Sequence, residues 1–185
     1  PGFRVEFTGR YRKKYDQKVQ IETDLRRASL LSLGLMLLVL AVHFRRLSAV
    51  LLIMAPLVLG LSWTLGLTGL VYGTLNILTG FIGAILLGLG VDHGIHLLSR
   101  HEAERSAGAD PATAVKRTFG QTGRAVIVAA LTTTVAFAGV AFSEFRAFHE
   151  FGVIAAVGMV CVVLSYTIAL PALLGLGLGS KSSAG

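Results

Sequence analysis

Three titratable side chains lie inside one long apolar stretch of the sequence. Residues 80–100 read GFIGAILLGLGVDHGIHLLSR, and they contain Asp92, His93 and His96. Placing an aspartate in the hydrocarbon of a bilayer costs about 2.5–3.5 kcal/mol, so such a residue has a function or a partner. Burial of a carboxyl group favours its neutral form. We therefore expect Asp92 to be a buried acid that takes up and releases protons within a transmembrane bundle.

Small residues accompany this acid at helical spacing. Residues four apart share one face of a helix, and this face carries Gly80, Ala84, Gly88, Asp92 and His96. Gly90 and Gly94 add a second row of small residues beside it. Because small residues let membrane helices approach closely, we predict that Gly88, Gly90 and Gly94 pack a neighbouring helix around the acid.

Further groups could share a proton with Asp92. His96 follows it by one helical turn, whereas His93 points about 100° away and is the weaker partner. A later apolar segment contains Thr132, Thr133 and Thr134. Thr133 aligns with alanines on a small face and is the first choice for a hydroxyl facing Asp92, with Thr134 as the second. The alternative is that each hydroxyl bonds the backbone of its own helix.

Other chemistry finds less support in the sequence. Two histidines beside a carboxylate suggest a metal site, but His93 points away from the acid, so we predict none. The sequence contains no nucleotide-binding loop, zinc pattern or catalytic triad. We therefore expect neither an enzyme nor a cofactor.

The elements that position these groups follow from the apolar runs. The chain has 185 residues, of which 54% are hydrophobic, and its long apolar runs are typical of a polytopic membrane protein. We predict an all-α bundle of five transmembrane helices, at residues 28–44, 49–66, 75–98, 125–142 and 152–170. The formal charge is +7. Basic residues mostly flank the apolar runs, which favours lipid headgroups over nucleic acid as their partners.

The N-terminal segment has a different pattern. Residues 3–8 alternate apolar and polar side chains, as a half-buried strand does. A lone strand is unstable, so we expect residues 1–22 to be the end of an extracytoplasmic domain and its connector. Residues 10–22 should form a short surface helix, and Thr23 should cap the first membrane helix of the domain at 23–176.

The connections carry recognisable signals. A turn is expected at Leu47-Ser48, and Asp110-Pro111 should start a short amphipathic helix over 112–119 that lies along the membrane surface. Pro171 should end the last span, and the Gly/Ser-rich residues 177–185 should form a flexible tail.

Basic residues in the short loops set the expected orientation. One side of the membrane collects most of them, namely Arg45, Arg46, Arg100, Arg105, Lys116, Arg117 and Arg124. The positive side is normally cytoplasmic. We therefore expect the N-terminus outside and the C-terminus in the cytoplasm.

Three segments together carry a family resemblance. GLGVDHGIHLLSRHEAE, the later LTTTVAFAGVAFSEF and the closing LPALL resemble the resistance–nodulation–division (RND) superfamily, and most of all its MMPL branch, which includes exporters of hydrophobic lipids and hopanoids. Each half of such a transporter has one span, a large extracytoplasmic domain and five more spans. The resemblance implies that this chain covers the end of that domain and spans two to six of one half.

The resemblance also implies a mechanism and partners. Members carry proton-relay acids in the fourth span, where Asp92 stands, and many have tyrosine or another residue where this chain has His93. The implied function is proton-driven export, or efflux, across the bacterial inner membrane. The implied partners are protons, a hydrophobic or lipid-like substrate, membrane lipids, and the missing second half or another copy of the chain.

Rival functions remain open at this point. One is a protein-export accessory of the SecD/SecF type, and another is a sterol- or lipid-sensing bundle that binds without pumping. A third is a scaffold in which Asp92 only holds helices together. Asp92→Asn separates them, because it keeps the shape of the side chain and removes its titration.

Overall fold

A computed structural model describes residues 10–73 and 81–176 as a helical bundle without strands in these ranges. Its helices are α1 (Arg10–Phe44), α2 (Leu47–Tyr72), α3 (Ile82–Ser106), α4 (Pro111–Thr118), α5 (Arg124–Val140) and α6 (Arg146–Gly175). A π-helical turn, Phe119–Gly123, joins α4 to α5. The all-α fold is confirmed, whereas the strand predicted over 3–8 and the tail over 177–185 lie outside the described residues.

Several helices are suited to crossing a membrane. Four runs have the necessary length and apolar composition, and these are Leu47–Tyr72, Ile82–Ser106, Pro111–Val140 and Arg146–Gly175. The apolar end of α1, Leu30–Phe44, is a shorter helix of the same kind. The chain is therefore a multi-pass membrane protein with four to five spanning helices.

Helix α1 is longer than the sequence pattern predicted. It runs unbroken from Arg10, so Thr23 lies inside the helix and the prediction of an N-cap there is wrong. The reason is local, because the chain has no glycine or proline between Arg10 and Leu33 that would interrupt a helix. The turn before α2 also falls earlier than predicted, at Arg45 and Arg46, and Arg45 has a positive φ of 51°.

The segment after the acid motif is more helical than expected. Helix α3 continues past Leu98 to Ser106, because residues 101–106 are mostly good helix formers. Helix α4 begins at Pro111, as predicted, and the Asp110 carboxylate caps it by accepting a hydrogen bond of 3.1 Å from the Thr113 N–H. Hydrogen bonds from the hydroxyl and the N–H of Thr113 lower the pKa of Asp110.

The predicted surface helix is not a separate element. Helix α4, the π-helical turn and α5 form one helical run from Pro111 to Val140, without a loop between the amphipathic part and the span. Pro171 likewise does not end the last helix, which continues to Gly175. Leu170 and Leu174 are buried in the core, and membrane helices tolerate proline where neighbouring helices pack around it.

Helix α6 lies at the centre of the bundle and packs against α2, α3 and α5. Half of its most apolar window is buried, against 17% for the run containing α5. Its Tyr166 hydroxyl donates to the Ile53 carbonyl at 2.9 Å, and its Ser165 hydroxyl donates to the carbonyl of Pro56. These bonds hold α2 and α6 together beside the proline within α2.

Candidate functional site

The predicted relay residues meet in a cleft of about 400 Å³ between α3, the π-helical turn, α5 and α6. We call it the relay cleft. Its polar lining consists of Asp92, His93, His96, Thr122 and Thr133. Leu89, Ala125, Val126, Ala129 and Met159 supply its apolar walls. The tertiary structure therefore brings four of the five predicted relay residues together.

The acid itself lies on an open face of α3. Asp92 and His96 are both exposed on this chain, and so is Gly88 one turn before Asp92. A Cβ atom built on Gly88 would meet no described atom within 4 Å. Within the described residues, therefore, Asp92 is exposed and no helix packs closely on Gly88, and the burial of this face in an assembled transporter stays a prediction.

The other two glycines face the opposite way and pack closely. A Cβ atom on Gly90 would lie 2.4 Å from Leu57 Cδ1. On Gly94 it would lie 2.6 Å from the Tyr166 hydroxyl oxygen and 2.8 Å from Ile53 Cγ2. The face with Gly90 and Gly94 therefore joins α3 to α2 and α6, and the face with Asp92 stays free.

His93 lines the relay cleft, although its angle on the helix predicted that it would point away from Asp92. Its side chain is 8% exposed, and its Nδ1 lies 2.6 Å from the Leu89 carbonyl oxygen. Because a carbonyl only accepts hydrogen bonds, Nδ1 carries the hydrogen, and in a neutral ring Nε2 is then the acceptor. Nε2 is buried and has no hydrogen-bond partner among the described residues. One residue that lines the relay cleft therefore has a buried ring nitrogen without a partner among the described residues.

The threonines of α5 bond their own helix. Thr133 lines the relay cleft, but its hydroxyl donates to the Ala129 carbonyl at 3.0 Å. Thr134 is half-buried, does not line the cleft, and donates to Ala130 at 2.8 Å. Thr132 is exposed and donates to Ala129 at 2.7 Å. The hydroxyl oxygen of Thr133 can still accept a hydrogen bond, because each hydroxyl has two lone pairs.

Sequence reasoning missed the π-helical turn and the residue it contributes. Thr122 lies in this turn and lines the relay cleft. Such turns are rare and occur frequently at functional sites. The one signal in the sequence was the pair Gly120 and Gly123 within a helical pattern.

A network of ion pairs lies beyond the relay cleft, towards the end of α3. Glu104 accepts hydrogen bonds from Arg100 at 2.5 Å and from Arg117 at 3.2 Å. Arg100 also donates to the Gln121 side-chain oxygen at 2.7 Å. We call Arg100, Glu104 and Arg117 the charged rim. It ties α3 to α4 and to the π-helical turn.

A metal is not supported by the described side chains. Within residues 10–73 and 81–176, no three His, Cys, Asp or Glu side chains are placed to hold an ion.

Comparison with known proteins places the chain in a family. The MMPL family matches residues 1–183. Protein MJ1562 of Methanocaldococcus jannaschii is 33% identical over 139 residues, which are 75% of this chain and 36% of that protein. The hopanoid transporter HpnN of Rhodopseudomonas palustris is 30% identical over 140 residues, 76% of this chain and 16% of that protein.

A further relative has a lipid in its name. The sulfolipid-1 exporter MmpL8 of Mycobacterium tuberculosis is 28% identical over 109 residues, 59% of this chain and 10% of that protein. The chain thus spans between 10% and 36% of the length of these three relatives. With a family match over nearly its whole length, the chain belongs to the MMPL family of RND transporters.

Proposed function

We propose that this chain is the transmembrane part of an exporter that uses the proton-motive force to move a hydrophobic or lipid-like substrate. Asp92 is the group that takes up and releases the proton. The observation that carries the proposal is the meeting of Asp92, His93, His96 and Thr133 in one cleft. The names of two relatives, a hopanoid transporter and a sulfolipid-1 exporter, support a lipid-like substrate.

Each polar group of the relay cleft has a task in this proposal. Asp92 binds the proton, and the free Nε2 of His93 accepts a proton or a hydrogen bond from it. His96 lies one turn further along the same open face and extends the path. Thr133 offers a hydroxyl oxygen as an acceptor. Proton binding removes the charge of Asp92, so it shifts the balance between two helix arrangements that differ in how they surround that charge.

The exposure of Asp92 calls for a partner. A charged aspartate facing lipid would cost about 2.5–3.5 kcal/mol at the centre of a bilayer. We propose that the second half of the transporter, or another copy of this chain, covers the open face of α3. The chain would sit in a bacterial inner membrane with its N-terminus outside and the charged rim on the cytoplasmic side, in keeping with the positive-inside rule.

Infrared titration of the full-length parent protein in lipid tests the proposal. The protonated carboxyl band of Asp92, identified by subtracting the Asp92→Asn spectrum, should disappear reversibly as the pH rises through the working range of the transporter, because a group that carries protons must both bind and release them there. Glu102→Gln is the matched control, since this acid is on the same helix but does not line the relay cleft. Its removal should leave the band unchanged.

The same variants distinguish the rival functions. In vesicles with an internal pH dye, Asp92→Asn should abolish proton uptake by the transporter, and Glu102→Gln should retain it. An acid that stays ionised or stays neutral throughout this range cannot cycle. That result would favour a lipid-sensing bundle or a scaffold and would refute the proton-driven exporter.

A further inference from the structure

Unpartnered polar atoms cluster in one part of the bundle. Among the described residues, four buried side-chain atoms have no hydrogen-bond partner, and they are His93 Nε2, Arg100 Nε, His101 Nδ1 and Thr118 Oγ1. All four belong to α3 or α4. Leaving a buried polar atom unsatisfied destabilises the fold. Buried water commonly satisfies such atoms.

Two of these atoms belong to buried residues on the helices that the charged rim joins. His101 is 4% exposed and Thr118 is 0% exposed. The hydrogen bonds of the charged rim lie on either side of these two residues in the sequence, because Arg100 bonds Gln121 and Glu104 bonds Arg117. His101 therefore lies between the two bonded positions of α3, and Thr118 lies between the two bonded positions of the α4 run. Helices α3 and α4 pack against each other, and both side chains are buried.

This interface continues into the relay cleft. Thr122 lines the cleft and follows Thr118 by four residues in the same helical run. On α3, His93 precedes His101 by eight residues, which is a rise of about 12 Å. His93, with its unpartnered nitrogen, is near the relay cleft, and His101, with its unpartnered nitrogen, is near the charged rim. Unpartnered polar atoms thus occur along α3 from His93, the neighbour of Asp92 in the chain, to His101 beside the charged rim.

We infer that His101 and Thr118 hold buried water that carries protons between the relay cleft and the charged rim. The inference rests on the proposed function, because it supplies the route by which Asp92 exchanges its proton with one side of the membrane. The Thr118 hydroxyl can donate and accept, and a neutral His101 nitrogen can accept. Each water forms a new O–H bond on one side and releases a proton on the other, so both residues return to their starting states.

Hydrogen–deuterium exchange of the Asp92 carboxyl in the full-length parent tests this route. Deuterium shifts the protonated carboxyl band, and the rate of that shift after mixing with D2O reports how fast protons reach Asp92. His101→Leu and Thr118→Val should each slow the exchange about tenfold or more, because an apolar side chain cannot anchor water at these buried positions. Thr118→Ser keeps the hydroxyl and should restore the rate.

Thr64→Val is the matched control. Thr64 is a buried threonine on α2 whose hydroxyl already donates to the Gly60 carbonyl at 2.8 Å, so its removal should leave the exchange rate unchanged. Exchange that is equally fast in His101→Leu, Thr118→Val and the unmodified protein would overturn the route while leaving proton binding by Asp92 intact. Absence of any protonated Asp92 band would instead refute the proposed function.

Radiolytic hydroxyl footprinting of the unmodified protein tests the water directly and does not depend on the folding of any variant. Radicals generated from bound water should oxidise His101 at a rate close to that of the exposed His149, despite the burial of His101. Tyr166 is the dry reference, since it is 0% exposed and its hydroxyl is bonded to Ile53. Oxidation of His101 as slow as that of Tyr166 would refute the buried water.

Discussion

The two faces of α3 carry similar small residues and behave in opposite ways. On one face, Gly90 and Gly94 are buried against side chains of α2 and α6. On the other, Gly88, Asp92 and His96 are exposed on this chain. The first face fixes the helix within the bundle, and the second presents the titratable groups.

This difference teaches that a small-residue pattern does not by itself identify a packing face. Gly90 and Gly94 lie four residues apart on α3, and Gly88 lies four residues before Asp92. The sequence spacing is therefore the same on both faces. The neighbours decide their roles, because Leu57, Val162 and Tyr166 occupy the space beside the first pair. In the proposed function, a rigid packed face behind the acid leaves the open face free to respond to proton binding.

The largest effect should come from filling the packed face. Gly94→Ala places a methyl group 2.6 Å from the Tyr166 hydroxyl oxygen and 2.8 Å from Ile53 Cγ2, so we expect a loss of about 1–3 kcal/mol in stability from overpacking. Gly88→Ala meets open space among the described residues and should gain about 0.5–1 kcal/mol from its lower backbone entropy in the unfolded state.

Thermal unfolding of the purified parent in detergent measures both changes. Equal midpoints for the two alanine variants would mean that the two faces of α3 are packed alike. A loss of stability with Gly88→Ala in the assembled transporter would show that a partner packs closely on the open face.

A smaller effect is expected from the polar contact behind the packed face. Tyr166→Phe removes the bond from its hydroxyl to the Ile53 carbonyl, and side-chain hydrogen bonds between membrane helices contribute about 0.6–1.7 kcal/mol. The unfolding midpoint should therefore fall modestly. Ser62→Ala serves as the control, because its hydroxyl bonds Val58 within α2 and joins no second helix. A fall of the same size for Ser62→Ala would contradict a specific role of the contact between α2 and α6.

The smallest effect on stability, and the sharpest test of the open face, comes from two adjacent threonines. Thr133→Val and Thr134→Val each remove a bond to the backbone of the same helix, so each should change stability by less than about 0.5 kcal/mol. Thr133 lines the relay cleft and Thr134 does not. We expect only Thr133→Val to shift the midpoint of the Asp92 infrared titration, and a matching shift from Thr134→Val would count against the assignment of the cleft.

Much of the architecture could be read from the sequence because it depends on local properties. Apolar runs long enough to cross a bilayer predict membrane helices wherever they occur, and the acid motif identifies the helix that contains the site. The Asp110-Pro111 start of α4 was also predictable, since a cap and a proline at the first turn act within a few residues. Element ends were predicted less well, as Thr23 and Pro171 show.

The same two residues explain why helix ends were missed. Thr23 could cap a helix, but the uninterrupted helix formers before it favour continuation. Pro171 removes one backbone donor, yet Leu170 and Leu174 gain burial in the core when the helix continues. In both cases one residue favoured the end of a helix, but the helix propensity or the burial of neighbouring residues favoured its continuation.

The sequence by itself determined that the chain forms membrane helices, which helix carries the acid, and the spacing of its titratable side chains. Only the tertiary structure decided that Gly90 and Gly94 pack while Gly88 does not, that His93 lines the relay cleft, and that Thr122 joins it. The physical reason is that helical periodicity fixes only the angle of each side chain about the axis of its helix. Whether that side chain then faces a neighbouring helix, a cleft or lipid depends on where the other helices lie.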